Sequence, residues 1–76
     1  MSGAAEAIAA WADLAERMER EPINIAHAET ILAKLDEERD RLQTFVRLEL
    51  WSAADGKQLS ALYDRVESAV RRAMGN

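Results

Sequence analysis

The chain contains no cysteine and only one proline among its 76 residues. Without cysteine it can form neither a disulfide nor a thiolate metal site, so its stability must come from helix packing or self-association. Folded chains near this size bury only about 60% of the surface that they expose when unfolded. We therefore expect a single domain over residues 1–76 with a small core. The absence of cysteine also fits a cytoplasmic location.

Long apolar runs and an excess of basic residues are missing as well. No segment approaches the ~20 apolar residues that a membrane-spanning helix requires. The formal net charge is −4, and the affinity of a general nucleic-acid binder depends on neutralising phosphates with Lys and Arg. We therefore predict neither a membrane protein nor a general nucleic-acid-binding protein.

Apolar residues recur near the N-terminus in alternating steps of four and three, at Ala4, Ile8, Trp11, Ala15 and Met18. This spacing is typical of one face of an amphipathic helix, for which Ser2 is a suitable N-cap. Pro22 ends the helix, because the residue before a proline is pushed away from helical geometry. The pattern predicts a first helix over residues 3–20.

The stretch from residue 24 to residue 54 contains neither glycine nor proline. Such a run predicts one long central helix, N-capped by Asn24 and about 45 Å long at a rise of 1.5 Å per residue. Tight turns would make the helices on either side antiparallel to it, the first covering its first half and the third its second half. The expected fold is all-α, with a long central helix flanked by two shorter antiparallel helices.

Apolar side chains surround the last part of this central helix. At 100° per residue they point to all sides, which implies burial from more than one direction. The expected fold supplies only one intramolecular partner there, so we predict that these residues form an interface with a partner or a second copy. The simplest form is a homodimeric helical bundle. The six residues are Leu42, Phe45, Val46, Leu48, Leu50 and Trp51.

A second interpretation of this segment stays open. Apolar residues at positions 46, 48 and 50 alternate with Arg47 and Glu49, which is also a strand pattern. A single strand in a helical chain would have to pair with another copy. Residues 44–51 are therefore either helix or an intermolecular strand.

Two rules disagree about where the central helix ends. Gly56 could be the left-handed residue that closes it, with a third helix over residues 57–74. Alternatively, Ser52 and Asp55 form a capping box that starts the third helix at residue 53, leaving Gly56 in its first turn at a cost of about 1 kcal/mol. In either case Gly75 ends the third helix.

The segment from residue 47 to residue 70 begins with Arg-Leu-Glu-Leu and continues into a helical pattern. It resembles the start of the small C subunit of the tRNA-dependent amidotransferases, in which a similar Arg-Leu-Glu-Leu precedes a capped helix. The resemblance covers about a third of the chain. It implies that Ser52 is an N-cap.

Arg39 is a charged residue on the apolar seam of the central helix, where it lies between Leu35 and Leu42. An arginine held there could bind a carboxylate through two hydrogen bonds. We expect it to pair with Asp36 or Glu38, or with the acidic turn of a second copy. As a polar seam residue it would fix the register of a dimer.

Other candidate sites are weaker. His27 has no second ligand at helical spacing, and the acidic side chains at positions 36–40 splay around the helix axis rather than converge. No phosphate-binding loop and no nucleophile with a usable base are present. We therefore predict no enzyme, no metal and no cofactor. Arg65, Arg71 and Arg72 could contact an acidic partner, although the dipole of a helix also favours bases in its last turn.

These patterns favour a small, acidic, all-helical protein–protein interaction module that presents an apolar helix face to a protein target, as an adaptor, a secretion-type chaperone or an inhibitor of a larger regulator. An alternative is a small structural subunit of a larger enzyme or virion assembly. An adaptor should be soluble and monodisperse alone, whereas an obligate subunit should aggregate. A third hypothesis, nucleic-acid binding through the basic third helix, requires salt-sensitive binding.

Overall fold

The computed structural model describes residues 3–75, and over these residues the chain forms three helices. They are α1 at Gly3–Arg20, α2 at Ile25–Arg47 and α3 at Ala53–Ala73. None of the described residues lies in a strand, so the all-α class is confirmed and the strand interpretation of residues 44–51 is wrong. The predicted N-cap Ser2 lies outside the described residues. No helix in residues 3–75 has the length and apolar character to cross a membrane.

Side-chain caps begin α2 and α3. The backbone N–H of His27 donates to Asn24 Oδ1 at 2.8 Å, and that of Asp55 donates to Ser52 Oγ at 3.1 Å. Both bonds satisfy amide groups that have no partner within the helix. Gly75 follows the end of α3 with φ at 86°, in the left-handed region that glycine adopts readily. The predicted N-cap Asn24 and the glycine at the end of the third helix are confirmed. Of the two alternatives for the start of the third helix, the Ser52 cap is the correct one.

The second helix is shorter than predicted. We expected it to run to residue 54, but α2 ends at Arg47, and Glu49 has left-handed backbone with φ at 61°. Gly56 lies in the first turn of α3, so the prediction that the third helix begins at residue 57 is also wrong. The cap at Ser52 prevails because the backbone of Ser52 is extended, and a helix cannot continue through it.

The helix on which the other two pack is α3, not α2. It lies alongside both, whereas within the described residues no Cα of α1 comes within 8 Å of a Cα of α2. The expected arrangement, with α2 carrying one helix on each half, is therefore wrong. α3 has 21 residues and α2 has 23, so no dominant central helix exists. The charged residues 36–41 interrupt the apolar face of α2, while the apolar face of α3 is continuous.

The core lies between α3 and its two neighbours. Its largest fully buried side chains are Tyr63, Leu35, Leu59, Val66 and Val70. Trp11 of α1 meets Tyr63 edge to face, with ring centroids 4.9 Å apart and planes at 79°. Such a pair contributes about 0.5–1.5 kcal/mol beyond the burial of its surface. The aromatic pair therefore joins α1 to α3 near the middle of the molecule.

Candidate interaction surface

Residues 48–50 form an exposed turn, here called the 48–50 turn, that follows α2. The N–H of Leu50 donates to the carbonyl of Phe45 at 2.9 Å, and that of Glu49 donates to the carbonyl of Val46 at 3.0 Å. These are the two bonds of a Schellman motif, whose left-handed residue is usually glycine. Here that residue is Glu49, and left-handed backbone costs a residue with a Cβ roughly 1–2 kcal/mol.

Two of the six predicted interface residues are exposed in this turn. The side chains of Leu48 and Leu50 are 62% and 64% exposed. The turn exposes them because they follow the last helical residue and precede the cap of α3, where neither helix covers them. Along with Ile25 at the other end of α2, they are the large apolar residues most exposed in residues 3–75.

The other four predicted interface residues lie wholly or partly inside the molecule. Leu42 is buried in the core, and Val46 packs partly buried against it. The rings of Phe45 and Trp51 meet edge to face, with centroids 4.8 Å apart and planes at 83°. The indole of Trp51 also lies beside the start of α1, 3.7 Å from where a Cβ on Gly3 would stand. α1 and α3 thus supply part of the burial that the sequence assigned to a partner.

An apolar groove lies beside the 48–50 turn, between the C-terminal end of α2 and the first two turns of α3. This α2–α3 groove has a volume of about 420 Å³. Leu42, Val46 and Gly56, which are buried or partly buried, line its interior. The exposed Arg47 and Lys57 line its outer part, so the groove is apolar inside and basic at the rim.

Gly56 shapes this groove because it has no side chain. A Cβ at this position would stand 2.9 Å from Val46 Cγ2, closer than real Cβ contacts allow. The contribution of α3 to this groove was not predicted, because the second helix was expected to extend to residue 54. A signal was nevertheless present. Ala53, Gly56 and Ser60 are small residues at helical spacing, and all three line the groove.

A second groove of about 260 Å³ separates α1 from α2, where the two backbones do not approach each other. Trp11, Leu14 and Ile31 line it together with the charged Lys34 and Glu38. This groove was not predicted, since the first helix was expected to cover α2 at this point. Its lining carries charges of both signs, so it favours no particular partner.

Arg39 binds acids of α3 rather than residues of its own helix. Its Nη2 donates to Asp64 Oδ1 at 3.0 Å and to Glu67 Oε1 at 2.8 Å. The expectation that it pairs with Asp36 or Glu38 is wrong, because α3 runs past the charged part of α2 instead of ending there. The polar seam residue therefore joins two helices of one chain.

The ion pairs of Arg39 shift the pKa values of its own guanidinium and of the Glu67 carboxyl. Burial opposes the charge on Arg39, but the hydrogen bonds to Asp64 and Glu67 outweigh it and raise the pKa of the guanidinium. Hydrogen bonds lower the pKa of the Glu67 carboxyl. The largest effect comes from Arg71, at 2.9 Å, and the next from Arg39. The guanidinium carbon of Arg39 also lies 5.7 Å from the centre of the Tyr63 ring, within cation–π range.

Two of the three arginines predicted to contact an acidic partner have acidic partners within the chain. Arg65 donates two hydrogen bonds to Glu19 of α1, at 2.7 and 3.2 Å, and these lower the pKa of the Glu19 carboxyl. Arg71 bonds Glu67. Within residues 3–75, Arg72 forms no ion pair. Arg65 therefore joins α3 to α1, and Arg71 forms an ion pair within α3.

His27 is exposed at the start of α2, where its backbone amide meets the Asn24 cap. Among the described residues, no group of three or more His, Cys, Asp or Glu side chains is placed to hold a metal ion.

Comparison of the chain with protein-family models, with curated proteins and with solved structures finds no match.

Proposed function

We propose that this chain is a small acidic protein–protein interaction module that acts through the apolar surface at the junction of α2 and α3. The observation that supports the proposal is the position of the exposed Leu48 and Leu50 beside an open apolar groove. Exposed apolar patches on a soluble protein often mark the place where another protein binds. The module would serve as an adaptor, a secretion-type chaperone or an inhibitor of a larger regulator, without an enzymatic role and in the cytoplasm.

We also propose that the chain forms a homodimer through the same surface. Within residues 3–75 the side chains of the two leucines in the 48–50 turn are mostly exposed, and two-fold pairing is the commonest way in which identical chains associate. Light scattering should give a mass above the 8.5 kDa of one chain. A mass of one chain at micromolar concentration would contradict the homodimer.

A pull-down from the native host tests binding to a target. The bait pair is the wild-type chain and the double variant Leu48→Ser/Leu50→Ser, in which the apolar side chains of the turn are replaced and the backbone bonds are kept. The matched control is Ile25→Ser, since Ile25 is 64% exposed, like Leu50, but lies at the opposite end of α2. Proteins bound by the wild type and by the control, but lost from the double variant, would support the proposal. An identical set of proteins on all three baits would overturn it.

A further inference from the structure

We infer that the α2–α3 groove receives the 48–50 turn of a second copy of this chain, and that the exchange is reciprocal. The inference rests on the proposed function and names the partner of the same surface. It also assigns the charged contacts that would set the orientation of the two copies. Glu49 of each copy would meet the basic rim formed by Arg47 and Lys57 of the other.

The groove has the chemistry to receive an apolar segment that carries a negative charge. Its interior is apolar, and both charged residues that line it are basic. Within the described chain neither Arg47 nor Lys57 forms an ion pair. The hydrogen bond that Arg47 makes is to Thr44 Oγ1 of its own helix, at 3.5 Å. Both cations are therefore free to bind an incoming carboxylate.

The 48–50 turn has the complementary chemistry. It presents two exposed leucines with Glu49 between them, and Glu49 forms no ion pair in residues 3–75. The Schellman hydrogen bonds already hold its backbone in one conformation. A turn that is ordered before binding loses little conformational entropy when it docks, which favours association.

The turn lies next to the groove, because Arg47 at the rim directly precedes Leu48 in the chain. A two-fold interface requires this arrangement, since the same surface must be complementary to itself. Charge favours the same location. Two copies of a chain with a net charge of −4 repel each other. The basic rim of the groove would instead attract an acidic residue of a second copy.

Sedimentation equilibrium from micromolar to millimolar concentration tests the apolar part of the contact. Leu50→Ser should weaken self-association by about tenfold or more, because it removes an anchoring side chain from the contact. Ile25→Ser, with the same exposed fraction, should leave it unchanged. Circular dichroism should give the same helix content for all three proteins. Equal weakening by both variants would overturn the inference.

A charge exchange tests the contact between Glu49 and Lys57. Glu49→Lys and Lys57→Glu should each weaken self-association, because each places like charges at both copies of the contact. Mixing the two variants should restore association, because the mixed pair has a lysine opposite a glutamate at both contacts. A tagged Glu49→Lys chain should therefore capture untagged Lys57→Glu chain better than untagged Glu49→Lys chain.

The possible failures are distinct. A wild-type chain that stays monomeric at every concentration overturns the second copy as partner, and the pull-down then decides whether a different protein binds the surface. A dimer that Leu50→Ser weakens but that shows no preference for the mixed charge pair overturns the reciprocal docking, while the homodimer of the proposed function stands. A dimer insensitive to every variant places self-association elsewhere and overturns the inference.

Discussion

Val46 Cγ2 lies 2.9 Å from the point where a Cβ on Gly56 would stand. This relationship sets how closely the end of α2 approaches the start of α3. It also affects the α2–α3 groove, because both residues line that groove and a side chain at position 56 would force Val46 to move.

Gly56→Ala should lower the free energy of unfolding by about 1 kcal/mol. Forcing a methyl group into a tight contact typically costs about 1–3 kcal/mol, which exceeds the gain of up to ~1 kcal/mol from replacing a helical glycine. Urea denaturation measures the change. The matched control is Gly3→Ala, also in a first helical turn, where a Cβ would meet Trp51 at an ordinary 3.7 Å. If both variants are stabilised equally, the helices are not as close as the structure indicates.

Glu49→Gly should raise the free energy of unfolding by roughly 0.5–1 kcal/mol. Glycine relieves the cost of left-handed backbone, partly offset by the greater freedom of the unfolded chain. Thermal denaturation of dilute protein checks this. Glu49→Ala keeps the Cβ and removes the charge, so it should give no such gain. Equal stabilisation by Ala and Gly would show that the carboxylate, not the backbone, is responsible.

Stability should fall with acid as Glu67 and Glu19 become protonated. Their folded pKa values lie below the ordinary value of 4.5. Their contribution is therefore fully present above pH 4.5 and is lost as the pH falls through the folded values. Glu67→Gln should cost about 0.5–1 kcal/mol at pH 7, in the range of surface ion pairs, and should show a smaller loss in acid.

Urea denaturation at a series of pH values below 7 measures this dependence. Glu29→Gln is the control, since Glu29 is exposed and forms no ion pair in the described part of the chain. It should follow the wild type throughout. A Glu67→Gln curve parallel to the wild-type curve would mean that the contacts with Arg39 and Arg71 contribute nothing to stability.

Tyr63 should ionise only above pH 10. Burial raises the pKa of its phenol, and the nearby Glu38 adds to the effect. Stability from the neutral phenol is present below the unfolded value of 10.0 and is lost as the pH rises through the folded value. Phenolate absorbance reports this residue alone, because the chain has one tyrosine. The titration should shift to lower pH in denaturing urea. Identical titrations in water and urea would contradict the burial of Tyr63.

Local chemistry in the sequence was enough to predict the all-α class, the cap at Asn24 and the glycine at the end of α3, and it offered Ser52 as one of two possible starts of α3. These features depend on hydrogen bonds between residues three or four positions apart, so the residues themselves carry the signal. The same reasoning found the apolar excess at residues 42–51. The sequence alone could not separate the six predicted interface residues into buried and exposed ones. Whether a residue lies in the core, like Leu42, or in solvent, like Leu50, depends on where α3 lies.

Only the tertiary structure decided which helix the others pack on. α1 could bury its apolar face on α2 or on α3, and helical periodicity is the same in both cases. α1 packs on α3 because the apolar face of α3 is continuous, whereas charged residues interrupt that of α2. That choice pairs Arg39 with Asp64 and Glu67, joins Arg65 to Glu19 and opens the groove beside the 48–50 turn. Such contacts join residues up to 46 positions apart, and no local pattern encodes them.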